Sequence, residues 1–223
     1  VPKYGRQRQD WRWVVRTLVV NCYREKAEEK IKGYIAQAGR FSYTSEVPWG
    51  ALERAYDMET YNAVIISGSQ WLLSKETPAG PLVEFVRNLK MPTLGICFGH
   101  QLFARASGTQ VLAGELIERD ETIIISEPGP LFHGMEPEMD FRESHREYVV
   151  AEPIERAGWH IIARSASCPV EAMHHMTRPL YGVQFHPERS SLNGEKLFDN
   201  FYNQIVFPFA KRTYQHPRGQ LYR

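Results

Sequence analysis

The segment Gly95-Ile-Cys-Phe-Gly-His-Gln-Leu-Phe103 places Cys97 between a short apolar run and a helical one, with a glycine two residues to either side. Such glycines permit a sharp strand-to-helix turn and close approach of a substrate. A helix N-terminus just beyond the cysteine favours thiolate, the nucleophilic form of a side chain whose free pKa is about 8.5. The first helical amides would also face a developing oxyanion. A free cysteine is more commonly a small core hydrophobe; here the paired glycines favour a nucleophile.

A nucleophilic thiol needs a base and a group to orient that base. Tyr181-Gly-Val-Gln-Phe-His-Pro-Glu188 supplies both, in His186 and Glu188. In an extended stretch, residues i and i+2 point the same way. Glu188 is therefore expected to orient His186, with Pro187 stiffening the link. His186 would take the thiol proton and return it to a leaving amine.

The elements that must position these residues alternate strand and helix. Val14 to Val20 and Ala63 to Ser67 read as buried strands, and Glu25 to Ala38 as a helix with Gly39 at its C-cap. Pro81 to Leu89 reads as a helix and Thr93 to Ile96 as a strand. His100 to Ala106 follows as a helix closed by Gly108. Alternation of this kind implies a parallel sheet covered on both faces. Beyond Gly108 come short strand candidates at Thr109–Leu112, Glu118–Ser126, Glu147–Val150, Trp159–Ser165, Val170–His174 and Leu180–Gln184. A helix over Asn193 to Ile205 comes last. The reading is one α/β domain with a more antiparallel second half.

The chain has 223 residues, 43% hydrophobic and 24% charged, ordinary for one soluble domain. No apolar run approaches the roughly 20 residues that span a bilayer, and the first ten residues hold nothing resembling a signal peptide. The chain begins with Val1 rather than Met, consistent with processing or trimming. Three cysteines without C-x-x-C spacing suit a reducing cytoplasm with free thiols. Residues 1–16 and 210–223 each carry a net +4, leaving −7 for the body of a chain whose total is +1. These basic tails lack regular aromatic interleaving or a recognisable module. They read as solvated or partner-contacting extensions of a core over 14–205, not as a nucleic-acid interface.

The two motifs resemble the G-x-C-x-G-x-Q and Q-F-H-P-E signatures of class I (triad-type) glutamine amidotransferases. Glu143-Ser-His-Arg-Glu-Tyr-Val149 and Ala163-Arg-Ser-Ala-Ser-Cys-Pro-Val-Glu-Ala-Met173 are similar, in order, to further segments of the glutaminase portion of GMP synthetase. The resemblance runs from about Ala63 to Ile205. It implies a flavodoxin-like domain and hydrolysis of the glutamine side-chain amide through a γ-glutamyl thioester on Cys97. It also implies that Gly68, Gln101, Ser144 and His145 hold glutamine. The amides of Phe98 and of the loop at Ser69 would then form the oxyanion hole. Because the similarity covers only the glutaminase portion, a separate ammonia-accepting synthetase subunit is the implied partner.

Three departures accompany it. The family's S-G-G-P loop reads Ser67-Gly-Ser-Gln70, so Ser69 replaces a glycine; if positive φ were required there, the loop would be strained. Glu147 stands where the GMP synthetase pattern has Asp, and Asn21-Cys-Tyr-Arg-Glu-Lys26 replaces a polar Gly-rich turn. Two rival readings follow: a free-standing γ-glutamyl hydrolase or transferase, and a regulatory subunit whose altered loop has abolished catalysis. Cys22 and Cys168 read as structural, His100 as packing beside the nucleophile helix, and Trp11, Trp13 and Trp71 as packing, lid or partner residues. His174 and His175 are adjacent on a strand and face opposite sides, so no metal pair is expected. Neither G-x-x-x-x-G-K-[ST] nor G-x-G-x-x-G occurs, and no cofactor is expected.

Overall fold

The computed structural model describes residues 15–52, 58–76 and 80–215. The tail charges at Lys3, Arg6, Arg8, Asp10, Arg12, Arg218 and Arg223, together with Trp11 and Trp13, lie outside the described residues. In chain order the elements are β1 (Arg16–Asn21), α1 (Ala27–Lys30), α2 (Lys32–Gly39), β2 (Tyr43–Pro48), β3 (Ala63–Ile66), α3 (Gly80–Asn88), β4 (Thr93–Ile96) and α4 (Phe98–Ala106). Then follow β5 (Val111–Ile117), β6 (Asp120–Ile125), β7 (Glu138–Arg142), β8 (His145–Val149), α5 (Ala151–Arg156), β9 (Trp159–Arg164), β10 (Ala172–His175), β11 (Leu180–Val183), α6 (Ser191–Asn200) and α7 (Phe207–Gln215).

Nine strands form one sheet in the order β2-β1-β3-β4-β11-β10-β9-β6-β7. The first five are mutually parallel and the last four pair antiparallel. Counting β11 as the fifth parallel strand gives the flavodoxin-like order 2-1-3-4-5, in which ligands bind at the carboxyl ends near the β1/β3 switch point. All four residues of β3 and of β4 are buried, as expected when both sheet faces are covered. β6 instead alternates exposed and buried, the mark of a strand covered on one side. One apolar core lies between the sheet and α2 and α6; the other lies under α3, α4 and α5.

Several boundaries differ from the sequence reading. The expected helix over Glu25–Ala38 starts at Ala27, after Lys26 in the left-handed region (φ 52°), and is divided at Ile31. Gly39 lies inside α2, and a right-handed Arg40 ends that helix. Strands β2 and β7 and helix α5 were not expected, since β2 and β7 sit largely exposed at the two sheet edges without an alternating apolar pattern. The last helix passes through a π-helical stretch, Phe201–Val206, which keeps Phe201, Tyr202, Ile205 and Val206 buried. Among the described residues no helix is long and apolar enough to cross a membrane.

Candidate active site

Cys97 leaves β4 with φ 52° and ψ −100° and is the N-cap of α4. Its N–H donates to the Val183 carbonyl at 2.8 Å, tying the turn to β11. Such a conformation costs a non-glycine residue about 1–3 kcal/mol and persists only where its surroundings impose it. The flanking glycines do not carry the strain. A Cβ on Gly99 would lie 2.5 Å from the Ile66 carbonyl oxygen, and one on Gly95 would lie 2.7 Å from the Gly99 carbonyl. They let α4 press onto β3 and β4, and that contact holds the cysteine in its elbow. The helix starts at Phe98, two residues earlier than the sequence indicated.

His186 follows β11, and its N–H donates to the Arg142 carbonyl at 2.8 Å. Its Nδ1 lies 2.7 Å from Glu188 Oε1, and both side chains are buried. The pairing is not made along an extended strand as expected: Pro187–Arg189 is a 3₁₀ turn. Gly33 of α2 and Gly194 of α6 make room for it, because a Cβ on either would meet Glu188 Cγ at 3.1 Å or the Pro187 carbonyl oxygen. Burial alone would lower the His186 pKa; the charges of Glu188 and Cys97 outweigh it and hold the imidazole at about 10. With Nδ1–H committed to Glu188, the buried Nε2 is the nitrogen left for the Cys97 sulfur, which acts on this imidazole as a near neighbour.

The loop after β3 completes this edge. Ser69 has no positive φ, so the strain expected from replacing glycine is absent. Its hydroxyl donates to the Cys22 carbonyl at 2.7 Å and accepts the Trp71 N–H at 3.1 Å. The Gly68 N–H is taken up by the Tyr34 hydroxyl at 3.0 Å. The N–H groups of Ser69 and Phe98 donate to no acceptor among the described residues.

On the far side of the thiol, Cys97 Sγ lies 3.8 Å from the Ser144 carbonyl oxygen, and Gln184 Nε2 lies 3.6 Å from the sulfur. Gln184, unremarked in the sequence beyond its motif, links the thiol to Gln101, whose Nε2 donates to Gln184 Oε1 at 3.1 Å and to the Glu147 carbonyl at 2.9 Å. Glu147 uses its carboxylate elsewhere, accepting the N–H groups of Leu73 and Ser74 at 2.7 and 2.9 Å. His145 Nδ1 lies 3.0 Å from the Glu147 carbonyl, and Nε2 lies 3.4 Å from Glu143 Oε2. Burial lowers the His145 pKa to about 4, so this imidazole is neutral.

The thiols and rings of the other sequence candidates stand outside the Cys97–His186–Glu188 contacts. Cys22 and Cys168 are buried thiols whose pKa values burial pushes up. His100 is fully buried and held near 3, again by burial. Trp71 packs between Trp49 and Phe98. His174 rests against His160 and Tyr181, whereas His175 rests against Trp159. A cavity of about 240 Å³ at the far end of α4 is lined by Arg87, Phe103, Trp159 and Arg178 among others, and by no residue of the Cys97 site.

The family model for glutamine amidotransferase class-I matches residues 18–205. The chain belongs to this family. It is 39% identical over 127 residues to a glutamine-hydrolyzing GMP synthase subunit of Methanothermobacter thermautotrophicus, covering 56% of this chain and 67% of that one. It is 32% identical over 194 residues to the glutamine-hydrolyzing GMP synthase of Thermosipho melanesiensis, covering 86% of this chain but only 36% of that longer protein. The crystal structure of a Thermoplasma acidophilum protein, provisionally described as a subunit of GMP synthase, superposes with a TM-score of 0.74 at 22% identity. That match covers 91% of this chain and 98% of the other and bears on the fold.

Within a class I amidotransferase, two of the three sequence departures acquire a local reason. Glu147 reaches two amides of the turn beyond Ser69, anchoring the segment that follows the loop. The Asn21–Lys26 segment bonds directly to that loop: Cys22 N–H to Ser67 Oγ at 2.9 Å, Arg24 N–H to Gln70 Oε1 at 3.0 Å, and Gln70 Nε2 to the Glu25 carbonyl at 3.1 Å. The altered loop and the altered turn are therefore bonded to each other.

Proposed function

We propose that the chain is a glutaminase subunit that hydrolyses the glutamine side-chain amide and passes ammonia to a separate synthetase, in the manner of the glutamine-hydrolyzing subunit of GMP synthase. The observation that carries this reading is the elbow cysteine facing a buried His186–Glu188 pair, with two unpaired amides on adjoining loops. Cys97 Sγ attacks the amide carbon of glutamine, and the oxyanion meets the N–H groups of Ser69 and Phe98. His186 gives its Nε2 proton to the amide nitrogen, which leaves as ammonia and yields a γ-glutamyl thioester. Water then attacks the thioester, surrendering a proton to His186, and glutamate departs. Gly68, Gln101, Ser144 and His145 are the proposed glutamine contacts.

The pairing with a synthetase follows the naming of the relatives and the physics of the product, since ammonia equilibrates with ammonium and diffuses away unless its acceptor is docked. The regulatory-subunit reading loses its motive, because Ser69 is unstrained and keeps its N–H free. The test is glutamate release from glutamine by the purified chain, alone and with a GMP-synthase-type synthetase subunit. Cys97→Ala is expected to abolish it in both settings. Release that survives this substitution excludes the thioester route, and a preference for other γ-glutamyl amides over glutamine favours the free-standing hydrolase.

A further inference from the structure

The oxyanion loop is held by hydroxyl groups, one of which, that of Ser69, stands where the family pattern has glycine. The peptide joining Gly68 to Ser69 carries the N–H proposed to meet the oxyanion. Ser67 Oγ donates to the Gly68 carbonyl oxygen at 2.9 Å and accepts the Cys22 N–H at 2.9 Å. No cis peptide bond occurs among the described residues, and in a trans peptide the N–H points opposite to the C=O. Fixing the Gly68 carbonyl on one side therefore aims the Ser69 N–H to the other. The preceding N–H, of Gly68, is occupied by Tyr34, and the following side chain, of Ser69, is pinned to the Cys22 carbonyl.

Tyr34 lies on α2 and is fully buried. Its hydroxyl is 3.0 Å from that of Tyr23 and 3.5 Å from His186 Nδ1. Because Nδ1–H is directed at Glu188, the Tyr34 O–H donates to Tyr23 and its oxygen is left to accept from Gly68. A Cβ added to Gly68 would lie 2.7 Å from the Tyr23 hydroxyl, 3.1 Å from that of Tyr34 and 3.2 Å from His186 Cε1. The loop, the tyrosine pair and the base thus share one packed contact. Burial, and then the negative charge of Glu188, keep Tyr34 protonated, so this acceptor does not become a charge beside the oxyanion.

We infer that Tyr34 and Ser69 are positioning residues for the oxyanion hole: their hydroxyls lock the Gly68–Ser69 peptide so that the Ser69 N–H stays aimed at the oxyanion. The inference rests on the proposed glutaminase reading and assigns to Ser69 a side-chain role beside its backbone one. It also accounts for the third departure from the family pattern. Where glycine leaves the peptide free to turn, Ser69 and the Asn21–Lys26 segment fasten it.

The test compares Tyr34→Phe, Ser69→Ala and Ser69→Thr in the full chain, assayed with glutamine and with iodoacetamide. Hydrolysis passes through an oxyanion and alkylation does not, so a loosened loop affects only the first. In Tyr34→Phe and Ser69→Ala, kcat is expected to fall about tenfold with KM within about twofold, a fraction of what losing a donor outright would do. Alkylation of Cys97 stays at the parent rate, Ser69→Thr recovers most of kcat, and the double variant loses less than the product of the single losses. A lowered Tm with kcat per folded molecule unchanged would reduce both residues to packing and overturn the inference, as would a rise in KM alone. Parent enzyme that releases no glutamate even with its synthetase overturns the glutaminase reading and this inference together; active parent with unchanged variants overturns only the inference.

Discussion

Two histidine–glutamate pairs flank Cys97, made of the same residue types and in opposite states. His186 and Glu188 are 2.7 Å apart, and the imidazole is held at about 10 against burial by the charges of Glu188 and Cys97. His145 and Glu143 are 3.4 Å apart, equally buried, yet the imidazole falls to about 4 under burial. Glu143 is driven well above the usual carboxyl range by burial and then by Glu171 beside it. Desolvation penalises charge in both pairs. In the first, a close carboxylate outweighs it; in the second, the carboxylate has another carboxyl for a neighbour and gives up its own charge. A buried His–Glu contact is therefore charged or neutral according to what stands behind the glutamate.

Removing the charge from the first pair is the largest expected effect. Glu188→Gln keeps the size and a hydrogen-bond acceptor while deleting the carboxylate that raises His186. Glutamine hydrolysis should fall at least about a hundredfold, the scale of losing an oriented general acid–base. The alkaline limb of kcat/KM, near pH 10 in the parent by the His186 value, should move to lower pH, because losing a negative charge favours neutral imidazole. The sign for stability agrees. A histidine raised from 6.5 to about 10 stabilises fully below pH 6.5 and loses that contribution as pH rises toward 10. A pH–rate profile with an unmoved limb would mean that Glu188 does not set the base.

A smaller change to the same pair comes from its packing. Gly194→Ala forces a methyl group into the Pro187 carbonyl oxygen, a contact that only movement of α6 or of the 3₁₀ turn relieves. Overpacking of this kind costs about 1–3 kcal/mol. Because the turn holds Glu188 on His186, kcat should drop along with Tm, whereas an equivalent clash away from the pair would lower Tm alone. Thermal melts and glutaminase assays on one preparation separate the outcomes; unchanged kcat per folded molecule would show that the turn tolerates displacement.

The charged pair was legible in the residue sequence and the neutral one was not, for a physical reason. Cys97, His186 and Glu188 sit in two short contiguous motifs whose glycines and proline restrict the backbone, so local chemistry announces them. The state of Glu143 depends on Glu171, brought beside it from another part of the chain, and on complete burial; neither is written locally. Tyr34 similarly reads as one more apolar position on the face that includes Ile31 and Ala38, and only the fold brings its hydroxyl to Gly68. The buried strands β3 and β4 were evident as continuous apolar runs. The edge strand β2 was not, since only Val47 of its six residues is buried. The Ser67–Gln70 loop illustrates the opposite error: a departure expected to strain the backbone if positive φ were required needs no positive φ, and is bonded to a second departure some 45 positions earlier in the chain.

The smallest expected change in activity, and the sharpest test of the neutral pair, is Glu143→Gln. An unfolded glutamate releases its proton near 4.5, whereas folded Glu143 holds it far higher because burial and Glu171 oppose the charge. The native state therefore binds more protons than the unfolded one above pH 4.5, and the parent loses stability as pH rises. The slope is about 1.4 kcal/mol per pH unit for each proton so held. Glutamine cannot ionise, and its neutral amide keeps the size of the protonated carboxyl beside Glu171. The Tm of the variant should match the parent near pH 5 and exceed it by a margin that widens from pH 6 to pH 9, with kcat at pH 7 little changed. A margin that stays flat, or a parent that becomes the more stable protein at pH 9, would mean that Glu143 carries its charge in the fold. His145 would then face an ionised partner as His186 does, and the two sides of Cys97 would be alike.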